Sequence, residues 1–228
     1  MPGTPALSLK RAAKLKAKKH REVERLFVAE GAALLEEATT PPLQVFDKVE
    51  QLRRVSTLQT PAGPAGVFPF LDVEAAELMS SVRRIVLLHG VQDPGNVGTA
   101  IRSAHAFGAG VALSRGSADL YNPKTVRATM GSIFHTPVAR ELEPVDFLAT
   151  AADAGFGLAA AVPEASNTPE ALPRGRLVVC IGAEGSGLPE DVLSACEVRV
   201  CIPSLAPSLN ASVAASILLY QAYSLVLT

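Results

Sequence analysis

Short apolar runs alternate with stretches of helical spacing through the last two thirds of the chain. The runs are Ile85–His89, Val111–Ser114, Phe156–Ala161, Leu177–Ile181 and Val198–Ile202. Between and after them, helical periodicity runs near Val97–Phe107, Pro123–Met130, Val145–Ala154, Pro189–Ala195 and Ser208–Leu225. This alternation predicts an α/β fold with a parallel sheet covered on both faces. Ligands then belong in the loops that follow the strands. The front of the chain reads differently. Residues 8–25 carry a thin apolar stripe and are expected to be helical. Strands are expected at Leu26–Ala29, Leu43–Phe46 and Val67–Leu71, and helical segments at Ala32–Ala38 and Val49–Leu52. A Pro- and Gly-rich loop occupies residues 61–66, and Asp72–Ser81 reads as a linker helix. The expected division is a small α/β unit over residues 1–80 and a larger one over 81–228. No internal repeat is visible.

The last segment, Cys201–Gln221, stands apart. Its hydroxyls (Ser208, Ser212, Ser216, Tyr220 and Ser224) recur every fourth position, and the other faces carry Ala, Val, Leu and Ile. A helix apolar nearly all round is enclosed by the rest of the fold or by a partner subunit. Its run is interrupted too often by Ser, Tyr and Gln to read as a membrane span. Ser208 is the expected N-cap. Asn210, an amide in an otherwise apolar first turn, either satisfies local backbone donors or has work to do.

Three strand-end loops carry candidate chemistry. In Gly90–Gly110, Asn96 is the expected N-cap. Arg102 follows Gly98 by one turn, so its guanidinium could pass over Gly98 towards free helix N–H groups, a suitable phosphate site. In Ile181–Asp191, glycines permit close backbone approach to a ligand and Glu184 is an isolated carboxylate. This loop lacks the glycine order and the downstream acid of a dinucleotide-binding fold. The third loop leads into Ser208 and Asn210.

Composition narrows the possibilities. At 48% hydrophobic, 228 residues can bury one good core or two modest ones. With no Trp and 5% aromatics, base stacking is not expected to drive binding. Cys180, Cys196 and Cys201 form no CxxC pair and read as reduced, and the four histidines lack ligand spacing, so no metal is expected. The first 30 residues are basic without an apolar core segment, so a cytoplasmic location is expected. Residues 8–21 hold seven of the 21 Lys and Arg and no acid, leaving fourteen cations against 22 carboxylates elsewhere. A basic arm on an acidic body points to a polyanion such as RNA, although charge runs are usually solvated helix faces. The candidate RNA contacts are Lys10, Arg11, Lys14, Lys18, Lys19 and Arg21, with Lys124 and Arg127.

Together, DPGNVGTAIRSAHAFG, IGAEGSGLPEDV and IP…SLNASVAASILLY resemble, in order, the three motifs of the SpoU/TrmH RNA 2′-O-methyltransferases of the SPOUT superfamily. The segment NPKTVRATMGSIFHTPV is also similar, so the resemblance covers about residues 83–227. KKHREVERLFVAEGAALLEEA and STLQTPAG resemble, more weakly, the substrate-binding domain that precedes many members. The third loop departs from the family: Ser204-Leu205-Ala206-Pro207 is shorter and lacks Gly.

The resemblance implies a trefoil-knotted parallel-sheet methyltransferase domain, a homodimer, and S-adenosyl-L-methionine held in the knot loops. It implies cofactor contacts from Gly182, Ile202, Leu209, Ala161 and Pro203, and a catalytic, RNA-facing set of Asn96, Arg102, Glu184, Ser208 and Asn210. The implied substrate is a ribose 2′-hydroxyl, with ribosomal favoured over transfer RNA. Two alternatives stand beside it. One is an inactive RNA-binding protein on the same fold, favoured by the short third loop. The other is a nucleotide-dependent oxidoreductase, opposed by the missing dinucleotide fingerprint.

Overall fold

A computed structural model describes residues 7–227. The front of the chain runs α1 (Leu9–Lys14), α2 (Lys18–Glu24), β1 (Leu26–Glu30), α3 (Ala32–Glu36), β2 (Gln44–Phe46), α4 (Val49–Val55), β3 (Ala65–Pro69) and α5 (Ala75–Ser81). The rest runs β4 (Arg84–His89), α6 (Pro94–Ala106), β5 (Gly110–Ser114), α7 (Pro123–Ala128), β6 (Val138–Leu142), α8 (Pro144–Asp153), β7 (Gly157–Ala161), β8 (Leu177–Gly182), α9 (Glu190–Ala195), β9 (Val198–Val200) and α10 (Ala211–Leu227). The basic stretch expected as one helix is two, α1 and α2, because the chain turns at Leu15–Ala17.

The first three strands form an antiparallel sheet in the order β1-β3-β2. The other six form a parallel sheet in the order β6-β5-β4-β8-β7-β9. From β4 the chain moves outward through β5 and β6, then returns to place β8 on the other side of β4. The order reverses between β4 and β8, where His89 pairs with Gly182. In open α/β sheets that reversal opens a crevice at the carboxyl ends.

One continuous apolar cluster joins the two sheets. Phe27 and Phe68 of the small sheet pack with Tyr121 and Phe134, and the same cluster continues through Val86, Val111 and Val179 to Leu218 of α10. A second cluster covers the opposite face, from Leu78 and Met79 of α5 to Phe147 and Val192. The segment expected as a linker is therefore core: Leu78 is fully buried.

Polar contacts reinforce the junction. The Tyr121 hydroxyl donates to Asp72 at 2.6 Å, and its ring stacks on Phe70 at 3.8 Å. Arg140 donates to both oxygens of Glu22 at 2.8 and 3.1 Å and pairs with Asp72 at 3.1 Å. Burial works against the Asp72 carboxylate, but the hydrogen bond from Tyr121 and the charge of Arg140 outweigh it and hold its pKa below the usual range.

Arg21 is a correction. Expected at an RNA interface, it is 3% exposed. Its guanidinium donates to the carbonyls of Leu15 and Lys16, both at 2.8 Å, and is ion-paired to Asp119. It ties the turn between α1 and α2 to the larger unit. Removing Asp119 would leave a buried guanidinium without its counter-charge. Asp119→Ala is expected to cost about 3–5 kcal/mol of stability, read as a lowered Tm in thermal denaturation; an unchanged Tm would refute this role.

Candidate active site between the carboxyl ends of β4 and β8

The loop after β4 turns at Gly90, in the left-handed region at φ +63°, and enters α6 with Pro94 at its first position. The N-cap is Asp93, not Asn96. Its carboxylate accepts from the backbone N–H of Gly95 at 2.6 Å and of Asn96 at 3.0 Å. Lys124 donates to the same carboxylate at 3.1 Å and, with those backbone bonds, holds its pKa below the usual range. With capping done by Asp93, the Asn96 side chain is free to reach across to Glu184.

The terminal helix begins at Ala211, three residues later than expected, and Asn210 rather than Ser208 caps it. Asn210 Oδ1 accepts from the backbone N–H of Ser212 at 3.0 Å and of Val213 at 3.3 Å. Its amide nitrogen donates to Glu184 Oε1 at 2.8 Å and to Asn96 Oδ1 at 2.9 Å. Asn96 donates to the same Glu184 oxygen at 2.8 Å, and the Ala211 N–H approaches it at 3.4 Å. Glu184 thus gathers donors from the starts of two helices, where negative charge is favoured. Three loops far apart in sequence are fastened at one point.

The Gly182–Leu188 loop folds back on itself. The Gly187 N–H bonds the Ala183 carbonyl at 2.9 Å, and a Cβ on Gly182 would lie 2.2 Å from the Gly187 carbonyl carbon. Only glycine fits there. Beside this loop lies a cavity of about 470 Å³, lined by Ala161, Gly182, Glu184, Ile202, Ser208 and Leu209 among others. Four of the five residues expected to hold a cofactor line it; Pro203 does not. Ile181, Val162 and Leu188 line it too. Sequence reasoning missed them, although Ile181 precedes the strand-end Gly182, Val162 precedes Pro163 just past β7, and Leu188 stands between Gly187 and Pro189.

Arg102 is not brought to this cavity. It is exposed on α6, with no side-chain partner among the described residues. Gly98 gives it no passage: a Cβ there would meet the Ala128 Cβ at 2.5 Å, so this glycine serves the packing of α6 on α7. α6 does run beside α10, with Ser103 and Ser216 hydroxyls 2.6 Å apart.

The other basic candidates divide. Arg11 pairs with Glu24, Lys18 with Glu141 and Lys124 with Asp93, while Arg127 donates to Thr57 Oγ1 at 3.0 Å. Lys10, Lys14 and Lys19 are exposed and carry no ion pair among the described residues. No helix among them is long and apolar enough to cross a membrane.

Comparison with known proteins identifies the family. Residues 83–220 match the model of the SpoU rRNA Methylase family. The chain is 32% identical over 235 residues to the 23S rRNA (guanosine(2553)-2'-O)-methyltransferase RlmP of Bacillus subtilis, covering 91% of this chain and 92% of that one. It is similar to an rRNA methyltransferase from Sinorhizobium meliloti, 26% identical over 96% of this chain and 95% of that one, with a TM-score of 0.86. The AdoMet-bound structure of the rRNA methyltransferase from that organism superposes with a TM-score of 0.82 at 26% identity, again covering 96% and 95% of the two chains. The three motifs, the fold that carries them and these likenesses place the chain in the SpoU rRNA methylase family of RNA methyltransferases.

Proposed function

We propose that this chain transfers a methyl group from S-adenosyl-L-methionine to a ribose 2′-hydroxyl of structured RNA, ribosomal rather than transfer RNA. The observation that carries the reading is the convergence of Asn96, Glu184 and Asn210 at the rim of the cavity lined by Gly182, Ile202 and Leu209. The RlmP likeness, extending over the front of the chain as well, supports ribosomal RNA.

The cavity fits the methyl donor. Its volume lies within the roughly 300–1,000 Å³ of small-ligand sites. Ile181, Ile202, Leu188 and Leu209 offer apolar walls, and Glu184, Ser204 and Ser208 offer polar groups. The Gly182 loop beside it is closed against its own backbone at Gly187 and Leu188, where a Cβ has no room. When bound, the sulfonium supplies an already electrophilic methyl, so the chain's residues need only hold the acceptor and manage its charge.

The 2′-hydroxyl must shed a proton as the methyl arrives. A guanidinium stays protonated, so Arg102 acts as a cation: it grips the neighbouring phosphate and stabilises the developing alkoxide. Asn210 and Asn96 fix the loops against Glu184, and Ser208 stands at the cavity edge to orient the ribose for in-line attack. Arg102 lies beyond the cavity of its own chain, and this supports a homodimer. Val213, Ile217 and Tyr220 leave an exposed apolar face on α10, alongside the helix that carries Arg102. In this reading two copies pair through that face and Arg102 of one serves the site of the other.

The reading includes a trefoil knot that encloses α10. The 3-10 turn at Pro169–Ala171 lies against both α10 and β9, and Cys201 N–H bonds the Asn167 carbonyl at 2.9 Å, as a covering loop would require. Residues 1–80 then serve as the RNA-presenting unit, with Lys10, Lys14 and Lys19 towards the phosphates, in a cytoplasmic protein.

Incubation with ribosomal RNA and methyl-labelled S-adenosyl-L-methionine tests the reading. The label is expected in alkali-resistant dinucleotides, since a 2′-O-methyl group blocks cleavage of the adjacent phosphodiester. Donor binding without transfer to any RNA would favour the inactive alternative.

A further inference from the structure

A second cavity, of about 420 Å³, lies on the other side of Glu184. Its lining includes His89, Gly90, Gln92, Asp93, Asn96 and Glu184. It shares Ala183, Glu184 and Ser186 with the cofactor cavity, so the two are neighbours across one loop. It sits where the strand order reverses, at the His89–Gly182 pair.

The lining has a definite chemistry. It holds two carboxylates, Asp93 and Glu184, and neither Lys nor Arg. Lys124 offsets Asp93, but the second carboxylate oxygen of Glu184 carries no hydrogen bond among the described residues, so a neutral group with N–H donors would meet an acceptor there. The Nδ1 atom of His89 is closed from solvent and has no hydrogen-bond partner among the described residues. The other ring nitrogen, Nε2, is not closed off and makes no hydrogen bond among the described residues, so it is the atom a ligand in this cavity would meet. The floor is rigid: Gly90 N–H donates to Ser114 Oγ at 3.0 Å, and Ala118 N–H to the Val91 carbonyl at 2.8 Å. At Gly116, on the rim, a Cβ would find nothing within 4 Å, so there is room to enter.

We infer that this cavity receives the unstacked base of the target nucleotide, read on an edge that carries N–H donors, with His89 and Gln92 as the residues that set base preference. The inference rests on the proposed methyl transfer. A base seated here puts its ribose beside Asn96, Glu184 and Asn210, next to the methyl donor. Unstacked bases are the usual targets of sequence-specific RNA recognition.

The test uses the full chain and ribosomal RNA fragments that differ only in the base at the methylated nucleotide. Initial rates are measured for the wild type, His89→Ala and Gln92→Ala, with S-adenosyl-L-methionine affinity measured separately by calorimetry. The wild type is expected to prefer the base richest in N–H donors, guanine with N1–H and N2–H2, over uracil, whose edge carries N3–H alone. At least one variant should lose about tenfold of that preference, as when one buried polar partner goes unmet, with donor affinity unchanged. If His89→Ala fails to bind the donor and so has lost its fold, Gln92→Ala, at an exposed position, decides alone. Unaltered preference in the variants that bind the donor, or a wild type indifferent to the base, would overturn the inference while leaving methyl transfer intact. A wild type that binds no donor and methylates nothing would instead overturn the proposed function, and this inference with it.

Discussion

Arg102→Ala is expected to reduce methyl transfer by about 10²–10³-fold, the effect of deleting one donor aimed at developing negative charge. S-adenosyl-L-methionine affinity and Tm should stay at wild-type values. Arg102 is exposed and touches neither cavity of its own chain, so its loss removes no packing and no cofactor contact. Arg102→Lys should recover little, because a lysine carries the charge without the planar fork that holds a phosphate. Mixed dimers sharpen the test. If the chain pairs as proposed and the arginine acts on its partner's cavity, each mixed dimer of Arg102→Ala with a cavity-defective chain should regain one of its two sites. Full turnover by Arg102→Ala would remove it from the mechanism.

Gly182→Ala is expected to weaken donor binding about 10–100-fold, the equivalent of the ~1–3 kcal/mol that overpacking costs. The added methyl would sit 2.2 to 2.5 Å from the backbone of Gly187 and Leu188. These are main-chain atoms of a tight loop, so no side chain can swing away; the loop itself must open. That loop carries Glu184, so opening it also pulls the carboxylate from Asn96 and Asn210. Calorimetry with the donor reads the first effect and the transfer rate the second. Wild-type affinity would show that the loop does not shape the cavity.

The parallel strands were legible because buried strands read as unbroken apolar runs. β6 was not: Val138–Leu142 contains Arg140 and Glu141, and a short edge strand with two charges resembles a loop. Helix starts slipped where a polar residue stood near the true cap. Asp93-Pro94 is a stronger start than Asn96, since proline favours the first helical position and aspartate the cap. Asn96, Glu184 and Asn210 were found as motif residues, yet nothing in their spacing says that they bond one another. That follows only when the sheet brings β4 and β8 side by side. Arg21 shows the opposite failure. Within a run of exposed cations it looked like one more, and its partner, Asp119, lies 98 residues away. Burial of a single charge inside a basic stretch leaves no trace in local sequence.

The central claim is that three strand-end loops form one site for methyl transfer to a ribose. Comparing 2′-O-methyl marks across total RNA from cells with and without this chain tests it most directly. The account predicts that a mark in ribosomal RNA disappears, returns with the wild-type chain, and stays absent with Arg102→Ala. An unchanged map, or the loss of a base methylation instead, would contradict it.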